Sequence, residues 1–398
     1  MDRFWLKYYP PGVPSDIDPS VYPSLVDLLE ESFGRFRDAR AYVCMDKALT
    51  FGEVDTLSQA LAAWLQGRGL KQGARVAIMM PNVLQYPVAV AAVLRAGFIA
   101  VNVNPLYTAR ELEHQLNDSG AEAVIVLENF AATLQAALAH APGVKHVVVG
   151  SLGDLLGFPK GPIVNFVVRH VRRMIPAWSL PGHTPFNSAI AAGKSMSFTR
   201  PNLGPQDVAV LQYTGGTTGV SKGATLLHRN VVANVLQNDA WLQPALEKPP
   251  HVEQLFIVCA LPLYHIFALT LCGLFSTQRG MLNLLIPNPR DIAGLVRTLG
   301  QHRVNLFPAV NTLFNALVNH PDFDTVDWSN LKVSLGGGTA VQEAVSRLWQ
   351  QKTGCTICEG YGLSETSPSA CSNPTSVREF SGTIGVPIPS TRFRIWFE

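Results

Sequence analysis

The chain has 398 residues, enough for two to three domains and a large buried core. Lysine and arginine number 31 and aspartate and glutamate 29, so the formal net charge of +2 provides no basic field that would favour nucleic acid as a partner. Charged residues make up 15% of the chain and hydrophobic residues 47%, which excludes a disordered chain. Six cysteines are too few for a disulfide framework at this length.

The N-terminal segment, residues 1–16, is charged and interrupted by proline, and it lacks the apolar core of a secretory signal. This lack, together with reduced cysteines, predicts a cytoplasmic protein. The remainder of the first forty residues is typical of an irregular arm followed by a short helix.

Farther along the chain, apolar runs typical of strands alternate with runs typical of helices. The predicted strands cover 74–80, 98–103, 121–127, 146–150, 208–213, 255–261, 281–286, 304–308, 331–335 and 355–359. The predicted helices cover 84–96, 130–140, 228–242, 289–300, 310–320 and 341–351. A further helix is predicted to begin after Thr108, which has Glu111 at the spacing of a capping box. Residues 151–206 interrupt the pattern with many Pro, Gly and Ser residues. The alternation predicts an α/β fold with two doubly wound sheet lobes joined by an irregular insert.

Residues 255–275 contain no charged side chain, and a hydropathy window of about 19 residues would mark them as a transmembrane helix. Pro262 follows a strand-like run, and Tyr264 and His265 come directly after it. A buried strand, a loop and a buried helix therefore explain this stretch better than a membrane span.

The segment YTGGTTGVSKG, residues 213–223, directly follows a predicted strand. Three glycines within five residues let consecutive backbone N–H groups point at one anion, the threonines add hydroxyl donors, and Lys222 adds a cation. These groups predict a polyphosphate site, with a merely flexible loop as the alternative. A Walker A loop is excluded, because Ser221, five residues after Gly216, stands where that motif has its second glycine, and Lys222 is followed by Gly223.

Two other patterns have simpler explanations. Residues 219–223 match the G-x-S-x-G pattern of a hydrolase, but that elbow needs a strand leading straight into its serine, and the predicted strand ends near Tyr213. Cys355 and Cys358 form a C-x-x-C without a second pair at zinc spacing. Two small side chains on a strand explain them better than a metal or redox site.

Five motifs occur in the order found in the adenylate-forming superfamily, which includes acyl-CoA synthetases, peptide-synthetase adenylation domains and beetle luciferases. Residues 213–223 resemble its phosphate loop, with Ser221 where proline is usual. The other four motifs that resemble the superfamily lie at 261–265, 336–339, 361–365 and 382–387. Across residues 5–391, including 102–107 and 310–314, the chain is similar to bacterial long-chain fatty-acid–CoA ligases in particular.

The resemblance implies a reaction in which ATP and a long-chain fatty acid give acyl-adenylate and pyrophosphate, after which coenzyme A displaces AMP. It implies catalytic roles for Lys222, His265 and Glu365, and places Mg²⁺ on Thr217 and Glu365. The ATP-binding residues that it implies are Tyr213, Thr214, Gly215, Gly216, Thr217, Thr218, Gly219, Val220, Ser221, Lys222, Gly223, Ala224, Gly337, Gly338, Thr339, Tyr361, Gly362 and Ser364. The acyl-site residues that it implies are Tyr264, His265, Phe267 and Val310.

The roles of three segments and the oligomeric state stay open in the sequence. Residues 266–275 and 310–317 suit either the walls of an aliphatic tunnel or ordinary core.

Segment 162–178 has four basic residues counting His170, no acidic residue, and a terminal tryptophan. It suits either a solvated helix or a peripheral contact with the cytoplasmic face of an anionic membrane, and a lipid-derived substrate favours the contact. A homodimer is also left open.

The expected organisation is one large N-terminal domain, with lobes at 41–200 and 201–380 and the start of a small β-barrel at 381–398. In the resembled family the barrel leads to a hinge and a C-terminal cap domain with a further lysine. We expect that cap to be absent from this chain and the activity of the chain alone to be impaired. The alternatives are a nucleotide- or acyl-binding module without turnover, and an adenylating enzyme that does not use coenzyme A.

Overall fold

The computed structural model describes residues 3–214 and 220–394, which divide between two compact units. The first unit comprises Tyr22–Arg229 and Pro262–His265. The second unit comprises Met1–Val21, Asn230–Leu261 and Ile266–Glu398. This division differs from the expected lobes, because the strand that precedes the phosphate loop belongs to the sheet of the first unit.

The first unit alternates strands with helices from its hairpin onward. Its strands are β1 (Arg40–Cys44), β2 (Lys47–Thr50), β3 (Arg75–Met79), β4 (Ile99–Asn102), β5 (Ala121–Leu127), β6 (His146–Gly150), β7 (Thr184–Pro185), β8 (Val208–Thr214) and β9 (Lys222–Leu227). Its helices are α1 (Leu25–Arg35), α2 (Phe51–Gln66), α3 (Gln85–Arg95), α4 (Ala109–Ser119), α5 (Ala131–Leu138), α6 (Lys160–Phe166) and α7 (Phe186–Gly193).

The main sheet of this unit has the order β7-β6-β5-β3-β4-β8-β9, with all neighbours parallel except β8 and β9. Strand β3 is buried from Val76 onward and every residue of α3 is buried, which is why both appear in the sequence as near-continuous apolar runs. The prediction of β5 and β6 is confirmed to the residue. The hairpin β1–β2, helix α2 and strand β9 were not predicted, although Thr50 and Glu53 form a capping box at the start of α2.

The second unit repeats the alternation. Its helices are α8 (His228–Leu246, which begins at the end of the first unit), α9 (Ile266–Ala268), α10 (Ser276–Gln278), α11 (Ile292–Leu299), α12 (Asn311–Val318) and α13 (Glu343–Thr353). Its strands are β10 (Phe256–Cys259), β11 (Leu282–Leu285), β12 (Leu306–Ala309), β13 (Val333–Gly336), β14 (Ile357–Gly362), β15 (Ser369–Ser372) and β16 (Val386–Pro387).

The strands of the second unit follow the order β16-β15-β14-β13-β12-β10-β11. Strands β10–β14 are parallel, and β15 and β16 form an antiparallel edge. Strand β16 lies within residues 381–398, where the start of a barrel was expected, and no set of described strands closes into a barrel. An aromatic cluster of fully or nearly fully buried rings fills the core beside β12, and its members are Phe307, Phe314, Phe323, Trp328 and Trp349.

The uncharged stretch 255–275 forms a strand, a loop and a helical segment, as the sequence predicted. Strand β10 is followed by Pro262–His265, and a π-helical turn, Leu269–Phe275, joins α9 to α10. Within 3–214 and 220–394, no helix has both the length and the hydropathy needed to span a bilayer.

Candidate active site

The two ends of the phosphate loop lie on neighbouring strands of the first unit. Strands β8 and β9 pair antiparallel, which sets Tyr213 opposite Gly223 and Thr214 opposite Lys222. Lys222 is exposed at the start of β9. The predicted ATP-binding residues Gly215, Gly216, Thr217, Thr218 and Gly219 lie outside the described residues, and with them the predicted metal ligand Thr217.

Gly223 has a structural reason to be glycine. A Cβ at this position would lie 2.9 Å from the ring of Tyr213, closer than real Cβ contacts come. The ring of Tyr213 therefore crosses β9 only because Gly223 has no side chain. The Tyr213 hydroxyl donates a hydrogen bond to Asp118 Oδ2 at 2.5 Å. Burial, and then this hydrogen bond, raise the pKa of Tyr213 well above its ordinary value, so the phenol stays protonated.

A polar cavity of about 290 Å³ opens where β4 and β8 end. Because these strands are parallel neighbours, their carboxyl ends meet at one edge of the sheet, the usual position of ligand sites in such folds. The cavity is lined by Asn102, Asn104, Tyr107, Gln212, Tyr213, Thr214, Tyr264 and His265. It brings together the predicted residues Tyr213, Thr214, Tyr264 and His265.

Side-chain hydrogen bonds fix the segment Pro262–His265 against this cavity. Gln212 Nε2 donates to the Tyr264 carbonyl at 3.0 Å, and Asn102 Nδ2 donates to Gln212 Oε1 at 3.1 Å. The Leu263 N–H donates to Asn82 Oδ1 at 2.8 Å. The Tyr86 hydroxyl lies 2.8 Å from the Leu263 carbonyl and 2.7 Å from Asn102 Oδ1, so its single proton can serve either acceptor. Sequence reasoning missed this network, although Asn102 and Gln212 interrupt apolar strands where a polar side chain needs a purpose.

His265 is exposed at the cavity, yet the protein atoms around its ring shield it enough to lower its pKa. The ring is therefore neutral at physiological pH, with one nitrogen that donates and one that accepts. A neutral imidazole can form a hydrogen bond to a substrate carboxylate without the cost of burying a charge.

In the second unit, the predicted residues follow the carboxyl ends of three adjacent parallel strands. Val310 follows β12, residues 337–339 follow β13, and residues 364–365 follow β14. All of them therefore lie along one edge of this sheet. Thr339 and Tyr361 are exposed there.

The glycine turn after β13 packs closely against two predicted acyl-site residues. A Cβ on Gly337 would lie 3.0 Å from Phe267 Cε1. Gly338 has φ +77°, a left-handed conformation that favours glycine, and a Cβ there would lie 3.6 Å from Val310 Cγ1. The structure thus brings Gly337, Gly338, Phe267 and Val310 together, with Gly337 buried and Gly338 exposed.

The turn that carries Ser364 and Glu365 is held by the chain that returns over it. A Cβ on Gly362 would lie 1.8 Å from the Pro368 carbonyl oxygen, so only glycine fits at this point of the motif. The Thr366 side chain and the Leu363 backbone exchange hydrogen bonds across the turn at 2.8 and 3.0 Å. This arrangement buries Ser364 and leaves Glu365 exposed.

The cysteine pair behaves as small core side chains. Cys358 lies in β14, and burial raises its pKa to about 12. Cys355 precedes the strand, and burial raises the pKa of its thiol as well. Both side chains are therefore protonated at neutral pH, in contrast to the thiolates that bind metal.

Comparisons with known proteins identify the family of the chain. Residues 29–396 match the family model of AMP-binding enzymes. Long-chain-fatty-acid–CoA ligases of Escherichia coli O6:H1 and Salmonella typhimurium are 50% and 49% identical to the chain over 396 residues, which cover 99% of this chain and 70% of each relative. The chain belongs to the long-chain-fatty-acid–CoA ligases. Members of this family activate fatty acids by way of acyl-adenylate to acyl-CoA.

The fold of the chain is shared with more distant enzymes. The crystal structure of an anthranilate CoA ligase in complex with anthranoyl-AMP superposes with a TM-score of 0.78 at 21% identity, over 94% of this chain and 66% of that one. At this identity the likeness speaks for the fold alone. It confirms the α/β prediction with two sheets.

Proposed function

We propose that this chain binds ATP and a long-chain fatty acid and joins them in the activation reaction of its family. In the first step a carboxylate oxygen attacks the α-phosphorus of ATP, the bond from that phosphorus to the bridging oxygen breaks, and pyrophosphate leaves. In the second step the sulfur of coenzyme A attacks the acyl carbon, AMP leaves, and the thiol proton is released. The pairing of Thr214 with Lys222, beside the cavity that contains His265, is the observation that carries the proposal.

The phosphates of ATP need positive charge and hydrogen-bond donors around them as charge shifts during adenylation. We assign this task to Lys222 and to the loop residues 214–218. The exposure of Glu365 supports Mg²⁺ as its ligand, since carboxylate oxygens suit a hard cation. Thr217 and Glu365 would hold the ion, which neutralises phosphate charge when bound. We assign Ser364 to the α-phosphate and Tyr361 to the adenine ring.

Replacing Lys222 with alanine tests the phosphate assignment. Loss of one charge-assisted contact should weaken binding of Mg·ATP by about 1–3 kcal/mol, measured by calorimetry. Lys71→Ala, at an exposed lysine of the first unit outside the candidate site, is the control and should leave affinity unchanged. Equal affinity in Lys222→Ala and the wild type would remove the assignment.

Replacing Glu365 with glutamine tests the metal assignment. The substitution keeps the size of the side chain and removes its charge, so the Mg²⁺ concentration needed for half-maximal ATP binding should rise. An unchanged Mg²⁺ titration would contradict the role of Glu365, whatever Lys222→Ala shows.

For the acyl site we assign the neutral His265 ring, with Tyr264, to the carboxylate end of the fatty acid. Phe267 and Val310 are assigned to the acyl chain. Most of residues 266–275 are buried, and Phe314 of α12 belongs to the aromatic cluster, so ordinary core explains most of the two apolar runs. Calorimetry with palmitate should show weaker binding by Phe267→Ala, and unchanged binding would remove Phe267 from the site.

Turnover separates the ligase from a binding module, the alternative from another functional class. With ATP, Mg²⁺, palmitate and coenzyme A present, the ligase proposal expects pyrophosphate release that depends on palmitate, and thioester that depends on coenzyme A, both at the impaired rate expected for the chain alone. Binding of ATP and palmitate without either product would favour the binding module. Pyrophosphate release without thioester would favour an adenylating enzyme that does not use coenzyme A.

We also propose a cytoplasmic protein in peripheral contact with a membrane through residues 162–178. Four large apolar side chains are exposed in this segment, Ile163, Phe166, Val171 and Met174, and Phe158 is exposed just before it. Arg172 and Arg173 are exposed among them, which suits an anionic lipid surface. The chain should float with phosphatidylglycerol vesicles and not with phosphatidylcholine vesicles, and Phe158→Ser/Phe166→Ser should reduce flotation. Equal flotation of this variant and the wild type would contradict the proposal. A homodimer stays a hypothesis for analytical ultracentrifugation.

A further inference from the structure

Helix α4 contacts the chain on both sides of the phosphate loop. Before the loop, Asp118 Oδ2 accepts the 2.5 Å hydrogen bond from the Tyr213 hydroxyl. After the loop, His114 Nε2 lies 3.0 Å from the Ser221 carbonyl oxygen. His114 and Asp118 are four residues apart, so they share one face of the helix. One rigid element therefore contacts both stems of the hairpin that ends in Thr214 and Lys222.

In both hydrogen bonds, the chemistry of the two groups decides which one is the donor and which one is the acceptor. A carbonyl oxygen only accepts, so His114 Nε2 carries a proton and donates to Ser221. The phenol of Tyr213 is protonated, and the Asp118 oxygen accepts from it. Both hydrogen bonds have a side chain of α4 at one end and the stem of the loop at the other.

Helix α4 is itself well anchored. Thr108 and Glu111 form a capping box at its N-terminus, and Gly120 ends it in a left-handed conformation. Gln115 Nε2 donates to the Asn102 carbonyl at 2.8 Å, which ties the helix to the strand whose end lines the polar cavity. The helix thus provides a fixed reference for the loop.

We propose that Asp118 and His114 are positioning residues that hold the two stems of the phosphate loop so that Thr214 and Lys222 face the phosphates of ATP. The proposal rests on the proposed function of the loop. Because Asp118 carries a charge, the positioning role and the charge itself should change ATP affinity in opposite directions. A carboxylate near a polyphosphate repels it, so removal of the charge alone should tighten ATP binding, whereas loss of the positioning hydrogen bond should weaken it.

Titration of the whole chain with Mg·ATP by calorimetry tests Asp118. Asp118→Ala should bind about 3–10-fold more weakly, the range for one hydrogen bond. Asp118→Asn keeps an acceptor oxygen and loses the charge, so it should bind as tightly as the wild type or more tightly. Asn117→Ala is the matched control on the same helix: its side chain donates to the His140 carbonyl at 2.9 Å, away from the loop, and its loss should leave ATP affinity unchanged.

His114 is tested in the same way. His114→Gln keeps an N–H donor at a similar reach and should retain affinity, whereas His114→Ala should lose about 3–10-fold. Since the two residues hold different stems, the losses of Asp118→Ala and His114→Ala should multiply in the double variant. The losses of Asp118→Ala and Tyr213→Phe should not multiply, because these changes remove the same hydrogen bond.

Several outcomes would overturn the positioning role. Unchanged affinity in Asp118→Ala, with affinity lost in Lys222→Ala, would remove the role and leave the proposed function intact. Equal losses of affinity and of melting temperature in Asp118→Ala and Asn117→Ala would reduce Asp118 to a structural residue. If the wild type binds no ATP, the proposed function and the positioning role fail together.

Discussion

In the first unit, the segment Pro262–His265 accepts hydrogen bonds from Gln212 and Tyr86 and donates one to Asn82. In the second unit, the glycine turn and the Tyr361–Glu365 motif are held by close packing: backbone approaches Gly362 too closely for a Cβ, and the Phe267 ring would lie 3.0 Å from a Cβ on Gly337. Hydrogen bonds position a segment through a few atoms, and each of them can be lost separately. Close packing spreads the constraint over many contacts, and its failure affects the whole unit.

The largest effect is expected from the aromatic core of the second unit. Trp349 is fully buried, stacks on Phe307 and donates its indole N–H to Ser334 Oγ at 2.9 Å. Trp349→Ala should lower the free energy of unfolding by about 4 kcal/mol, measured in urea. Trp349→Phe, which keeps an aromatic ring, is the milder comparison. A loss below about 1 kcal/mol for the alanine variant would mean that packing does not dominate here.

The next effect concerns Gly362. Alanine at this position drives a methyl group into the Pro368 carbonyl, so the backbone must move, at a cost of about 3 kcal/mol. Gly34→Ala, on an exposed helix position of the first unit where no described atom lies within 4 Å of the new Cβ, is the control. It should be neutral or stabilising by a few tenths of a kcal/mol, since alanine favours the helix. Equal stability of the two variants would show that the close approach at Gly362 is not constraining.

Substitutions in the polar network of the first unit should lower the free energy of unfolding, because they leave buried polar atoms without a hydrogen-bond partner. Gln212→Leu leaves the Asn102 amide and the Tyr264 carbonyl without this partner in a buried region, which should cost about 2 kcal/mol. Adding Asn102→Leu should cost less than its effect in the wild type, because one of the orphaned groups is removed as well. Additive losses in chemical denaturation would contradict a coupled network.

The smallest effect is a pH dependence. His228 is buried and accepts a hydrogen bond from the Leu25 N–H at Nδ1, and burial lowers its pKa to about 4. Its pKa in the unfolded chain is about 6.5. Between that pH and about 4, the unfolded state therefore binds a proton that the folded state does not bind. Stability is therefore lost as the pH falls from about 6.5 toward 4. Between pH 8 and pH 5.5 the wild type should lose about 1 kcal/mol more than His228→Asn, which keeps an acceptor. Parallel pH profiles of the two proteins would rule this out.

The sequence predicted the parts of the fold that depend on local patterns. Buried strands such as β5 and β6 are long apolar runs, and the capping box at Thr108 is a local signal. The roles of the phosphate loop and the Tyr361–Glu365 motif are also predicted from residue type and spacing, and they stay predictions. The network of Asn102 and Gln212 could not, because it depends on which strands become neighbours. The contacts of α4 with the loop escaped for the same reason, since Asp118 and Tyr213 are 95 residues apart in the chain.

The residues Pro262–His265 belong to the first unit, although the chain on both sides of them belongs to the second. During synthesis, the partners Asn82 and Tyr86 emerge from the ribosome long before Leu263, which lies 181 and 177 residues farther along. The sheet of the first unit can assemble while this last piece is still missing, since domains fold from the N-terminus as they are made. Docking the piece closes a loop of that length, a costly and therefore late step. The cavity wall around His265 is thus completed only after this closure, later than the sheet whose edge it covers.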